Sequence, residues 1–216
     1  GALRCAHLVF QDLCVLARGE QGQWIKRTSV SATLGLELVE QVLSLQPVLF
    51  RRFKVLRRLL SQEVCPLILQ TMRRRMKFPL VVRLLRAAST LVVNYGDLLP
   101  NEARSILSTM LASLGTGLGC DIAEDRQGDG SINFSPADGD GSRGCVSWAA
   151  MLTLEAIHRV LSNRFLVFEL FRHEEEGSNH KPLVEEMLYG VTQHLVRNLS
   201  SQQDAQGLEA MALSMR

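Results

Sequence analysis

Aromatic side chains are scarce in this sequence, at 6% of residues, and Leu and Val dominate the apolar set instead. Strands favour aromatic and β-branched residues, whereas helix-on-helix packing is usually Leu-rich, so the shortage points away from a sheet. Long apolar runs are missing too. Stretches such as 91–93 and 165–168 fall far short of the roughly 20 residues that a bilayer-crossing helix needs. No signal-peptide pattern is seen, because Arg4, Gln11, Asp12 and Arg18 interrupt the N-terminal segment. The opening Gly-Ala falls inside a running helical pattern, as if the chain began mid-protein. Cysteine pairing is lacking as well: Cys5, Cys14, Cys65, Cys120 and Cys145 are odd in number and irregular in spacing, with no Cys-x-x-Cys. That excludes a zinc ribbon or a disulfide framework and predicts a reducing compartment. Cys5, Cys14 and Cys65 sit in apolar helical contexts, where a free cysteine acts as a small buried hydrophobe.

What the chain has is helical periodicity. Residues 2–18 place Leu3, His7, Phe10, Cys14 and Ala17 on one face, and Gly19 stops the pattern. Thr28 and Ser29 are N-cap candidates for a helix reaching about Leu45, with Leu34, Leu38, Val42 and Leu45 as its expected inner stripe. After Pro47 the spacing of Leu49, Phe53, Leu56 and Leu60 predicts one helix over 48–60. Cys65-Pro66 opens another, since proline is tolerated in a first turn. Residues 80–95 read as a helix with Val81, Leu84, Leu85, Ala88, Leu91 and Val92 inward, and 101–114 as its successor. Further helices are expected over 146–162, 165–171 and 182–199.

Residues 115–145 differ, being rich in Gly, Asp and Ser without any period, and are expected to form a disordered insertion. The predicted organisation is therefore helical repeats over 1–114, the insertion, further repeats of the same stack over 146–200, and a frayed tail or short helix over 201–216. Helices of 12–18 residues with short, Pro-marked connectors give an all-α class: an armadillo- or HEAT-like α-solenoid of stacked antiparallel helices.

No catalytic constellation is evident. The calcium-loop-like run 125–136 has Pro136 where the closing Glu belongs, and the Gly-rich 115–119 lacks the Lys-Ser/Thr pair of a phosphate loop. His158 and Glu155 share one helix, but a di-metal site needs a second such pair and two more Glu, so His158 reads as a packing histidine. No nucleophile elbow occurs. The expectation is a non-enzyme that needs no cofactor or metal.

Charge is unevenly spread. Residues 1–112 carry 16 Lys/Arg against 7 Asp/Glu, and the remainder 8 against 15, which together give the net +2. The best surface candidates are the cations Arg51, Arg52, Arg57 and Arg58, then Arg73, Arg74, Arg75 and Lys77. Guanidinium groups make forked contacts to carboxylates and phosphates, which suits an acidic protein partner or an anionic membrane surface. Nucleic acid is not expected, because no interleaved aromatics offer base stacking. A general armadillo adaptor for extended peptides would show ladders of Asn and Trp, and Trp24 and Trp148 form none.

Four landmarks occur in order: LGLELVEQVL at 34–43, VCPLIL at 64–69, FPLVVRLLR at 78–86, and Trp148 followed by LEAIHR at 154–159. Together they resemble the N-terminal regulatory region of the Mon-two proteins, relatives of the large Arf guanine-nucleotide exchange factors that lack the Sec-seven catalytic domain. The likeness points to the segment called "homology upstream of Sec-seven". It implies an armadillo-like solenoid without exchange activity, working in vesicle trafficking, cytoplasmic and peripheral on trans-Golgi and endosome membranes. It implies partners among Arf-like small GTPases, a Dopey-type scaffold and other segments of the same protein, with self-association left open. Glu155, His158 and Arg159 belong to the helix that carries the likeness. The exchange factors have an Asn-Tyr-Asp-Cys box here. The run Asn94, Tyr95, Gly96, Asp97 comes one helix pair too early to be that box, whose expected place, 170–178, reads LFRHEEEGS.

Overall fold

A computed structural model describes residues 1–25, 30–74, 76–116, 148–175 and 185–196. Among them the regular structure is entirely helical. The helices are α1 (Ala2–Ala17), α2 (Ala32–Leu45), α3 (Pro47–Arg52), α4 (Lys54–Leu59), α5 (Cys65–Met72), α6 (Phe78–Tyr95), α7 (Pro100–Thr116), α8 (Trp148–Leu161) and α9 (Arg164–Glu175). Residues 185–196 form α10. A π-helical stretch, Leu60–Val64, joins α4 to α5 without a break.

Two layers result. Helices α2, α6 and α8 lie side by side, and α1, the α4–α5 rod, α7 and α9 form the layer behind them. Successive helices pack as pairs across the layers, α1 with α2, α5 with α6, α7 with α8. This is the expected all-α, solenoid-like stack. The segments 115–145, but for the start where α7 ends, and 201–216 lie outside the described residues, as do Thr28 and Ser29.

Local chemistry accounts for the element ends. α1 stops at Arg18, and Gly19 follows with φ of 83°, a conformation that glycine adopts at little cost. The N-cap of α2 is Ser31, whose Oγ accepts from Leu34 N–H at 3.2 Å. Pro47, Pro66 and Pro79 each occupy a first turn.

The core follows one predicted stripe closely and departs from another. Val81, Leu84, Leu85, Ala88, Leu91 and Val92 of α6 are all buried, as their spacing requires. In α2 the buried set is Leu36, Val39 and Leu43 with Gly35, while Leu34 and Leu45 face solvent. The cause is Gly35: a Cβ there would stand 2.6 Å from Ala17 Cα, so α1 and α2 meet at their backbones and α2 turns that edge inward. The predicted helix over 48–60 is broken at Phe53, whose extended backbone (φ −105°, ψ 114°) separates α3 from α4. Phe50, not Leu49, is the buried residue. It stands edge-on between Phe10 and Tyr95, with ring centroids 5.0 and 5.7 Å away. Cys65 does not begin a new helix; its N–H donates to Leu60 carbonyl, continuing the rod. Cys14 and Cys65 are buried as expected, and burial pushes both thiols up to about 12, so they stay protonated. Cys5 is exposed.

Candidate docking surfaces

The predicted basic ridge divides according to what each cation meets. Arg51 is bound within the fold: Nη1 and Nη2 fork onto Asp97 Oδ2 and Oδ1 at 2.7 and 2.8 Å, and Nη2 also donates to Asn94 carbonyl at 2.8 Å. Arg57 donates to Arg51 carbonyl at 2.7 Å, and its Nε is buried without a partner. Arg52 lies 5.7 Å from the centroid of the Phe53 ring and is exposed. Arg58, Arg73, Arg74 and Lys77 are exposed, and Arg75 lies outside the described residues.

The Asn94–Asp97 run, which resembled an interdomain box in sequence, is a corner where three helices are tied. Tyr95 is fully buried and its hydroxyl donates to Leu43 carbonyl of α2 at 2.7 Å. Burial pushes this phenol up to about 12, and the nearby Arg51 guanidinium only partly offsets that. A Cβ on Gly96 would lie 2.5 Å from Leu166 Cδ1, so α9 reaches the corner because position 96 has no side chain. Asp97 completes it by holding Arg51 of α3. Sequence reading missed this role because the partners are separated by 46 and 52 residues.

The largest groove, of about 570 Å³, opens between α2, α6 and α8. Val82, Leu85, Leu152 and Ala156 give it an apolar floor, and charged groups rim it: Glu40 of α2, Arg86 of α6, Glu155, His158 and Arg159 of α8. The structure thus brings together Glu155, His158 and Arg159, the helix singled out in sequence, with Glu40 and Arg86, which were not. None of the four full charges has an ion-pair partner among the described residues; nearby, Arg83 is satisfied by Glu37 at 3.0 Å. His158 is exposed on the groove rim. The earlier reading of it as a packing histidine is therefore corrected, because the face of α8 that packs is Ala149, Thr153, Ala156 and Val160. No group of His, Cys, Asp and Glu suited to a metal ion occurs among the described residues. No described helix is long and apolar enough to cross a membrane.

A second groove, of about 450 Å³, lies beside the Arg51–Asp97 pair, with Phe165, Leu166 and Glu169 of α9 on its other wall. The predicted box position 170–178 lies mostly outside the described side chains.

Comparison with known proteins agrees with this frame. The model of the Sec7-like HUS family, described as "Mon2/Sec7/BIG1-like, HUS domain", matches residues 2–128. A "Protein MON2 homolog" of Homo sapiens is 31% identical over 128 residues, 50% of this chain and 8% of that protein. One from Caenorhabditis briggsae is 27% identical over 194 residues, covering 75% and 10%. "Monensin-resistant homolog 2" of Caenorhabditis elegans is 25% identical over 219 residues, covering 87% and 12%. The chain thus corresponds to only about a tenth of these relatives' length. No solved structure matches it significantly. With more than half of its residues under that one family model, the chain belongs to the Mon2/Sec7/BIG1-like HUS domain family.

Proposed function

We propose that this chain is a non-catalytic regulatory and scaffolding segment of a Golgi–endosome vesicle-trafficking protein, peripheral on membranes and working through docked partners. The observation that carries the reading is the α2/α6/α8 groove: an apolar floor rimmed by Glu40, Arg86, Glu155 and Arg159, whose charges have no partner within the described fold. An apolar centre with a polar rim is the make-up of a protein-binding surface. Exposed charges set on-rate and specificity there rather than raw affinity. Family membership supplies the pathway, and it favours an Arf-like small GTPase, a Dopey-type scaffold or another part of the same protein as the occupant. Residues 1–114 and 146–200 act in this reading as one solenoid interrupted by the 115–145 insertion, and the free cations Arg58, Arg73 and Arg74 add a second docking face.

The test is capture in solution, without lipid, of GTP- and GDP-loaded Arf-family GTPases and a Dopey-type scaffold on immobilised chain. Capture that falls on reversing Arg86→Glu with Arg159→Glu supports the groove. Undiminished capture by that variant places the docking elsewhere, and no capture at all leaves neighbouring parts of the same protein as the occupant.

A further inference from the structure

The end of the stack where α5 stops and α6 and α8 begin combines two features that lie 70 residues apart in sequence. Phe78, the first residue of α6, stands edge-on to Trp148, the first residue of α8, with ring centroids 4.9 Å apart and planes at 65°. Phe78 is nonetheless 54% exposed. Met151, one turn along α8 from Trp148, is exposed as well. Immediately before Phe78 come Arg73, Arg74 and Lys77, all exposed and none with an ion-pair partner among the described residues. Met76, between them, is buried and fixes the turn against the core.

Negative charge does not offset this tip from within its own stretch. Between Glu63 and Asp97 the sequence contains no acidic residue. Those two flanking carboxylates are themselves engaged, Glu63 by Arg18 at 2.8 Å and Asp97 by Arg51 at 2.7 Å. Arg83, further along α6, is held by Glu37. The cations left over are the ones at the tip, beside the exposed rings.

A pair of aromatic rings next to unpaired Arg and Lys suits the headgroup region of a bilayer, where amphipathic rings settle at the interface and cations meet anionic lipid. We propose that this Arg73–Phe78–Trp148 tip is the surface by which the chain sits on an anionic lipid bilayer, the rings entering the headgroup layer and the three cations facing the lipid charge. The inference rests on the peripheral-membrane part of the function proposed above and names the face responsible. That face is distinct from the α2/α6/α8 groove, so a protein partner and a membrane can be held together.

The test uses the whole chain carrying Trp24→Phe, which leaves Trp148 as its one tryptophan. It is sedimented with vesicles of phosphatidylcholine alone and with phosphatidylserine added, while Trp148 emission is recorded with and without bromine-labelled acyl chains. The expected result is binding to the anionic vesicles only, weakened by added salt, with a blue shift and quenching of Trp148. Each cation removed should weaken partitioning about fivefold, so Arg73→Gln with Arg74→Gln should cost about 25-fold, with circular dichroism unchanged because both side chains are exposed. Phe78→Ser should reduce the quenching. Equal binding to neutral vesicles, no loss in the double Gln variant, or bound chain whose Trp148 emission does not move would each overturn the proposal. None of these outcomes bears on partner capture in solution, so failure here and failure of the docking reading are separable.

Discussion

From α1 to α6 the polar groups that enter the packing are answered by distant parts of the chain, whereas from α8 onward apolar surface stands open. In the first region Asp12, buried in α1, accepts from the N–H groups of Gln23, Trp24 and Ile25 at 2.6–3.0 Å and so fastens the connector to its own helix. Arg18 reaches Glu63 of the π segment, Tyr95 reaches Leu43, and Arg51 reaches Asp97. At the other end Phe165 is 87% exposed, Phe168, Leu188 and Tyr189 are exposed, and the ion pair Arg172–Glu169 stays within one turn of α9. A stacked repeat protein is stabilised by the sum of its interfaces, and an end repeat without a polar outer face is the weakest link. The contrast teaches that stability and docking capacity are concentrated at different ends of one stack.

Equal truncations at the two ends should separate them most sharply. Ile68→Ala, in the fully buried centre of α5, should cost about 2–5 kcal/mol in urea denaturation. Leu188→Ala, on the exposed face of α10, should stay within about 0.5 kcal/mol. Similar losses at both sites would dissolve the contrast.

Asp12→Ala comes next, at about 1–3 kcal/mol, because three N–H donors lose their acceptor. The pH dependence has a definite sign. Burial alone would raise this carboxyl, but the three N–H donors outweigh it and hold it below its ordinary value of 3.8. A depressed folded-state value means that the contribution is complete above the unfolded-state value and is lost as pH falls through the folded one. Acid titration of stability should therefore be shallower in Asp12→Asn than in the parent chain, and identical curves would show that the cap is energetically silent.

Arg51→Ala should cost about 1 kcal/mol. The forked geometry argues for more, but both partners are over a third exposed and water screens the pair. Smallest of all, Arg86→Glu with Arg159→Glu should leave stability within about 0.5 kcal/mol while affecting partner capture. A large destabilisation there would mean that the groove charges belong to the fold after all.

How much of this could be read without coordinates depends on whether the deciding partner is near in sequence. The α6 stripe was legible because its apolar residues recur at one helical spacing with Arg83 and Arg86 between them. The α2 stripe was not: Leu34, Leu36, Leu38, Leu43 and Leu45 support two overlapping faces, and Gly35 meeting Ala17 chooses between them. The break at Phe53 carries neither Pro nor Gly, so nothing local announces it. Arg51 looked like surface because Asp97 is 46 residues away. Of the groove, α8 contributed its recognisable Glu155–Arg159 turn, while Glu40 and Arg86 entered only when three helices were laid side by side.

The π segment has a consequence for how the α4–α5 rod tolerates change in length. Its wider turn accommodates one residue more than an α-helical turn would, so α4 and α5 are out of phase along one continuous axis. Ser61 thereby reaches Glu102 of α7, while Glu63 two residues later reaches Arg18 of α1. Removing a single residue from 60–64 would restore an ordinary helix and rotate everything after it by about 100°. Leu67 and Ile68 would swing out of the core and Gln70 towards it. At this joint the length of the chain, more than the identity of any side chain, keeps the two neighbours of the rod in register.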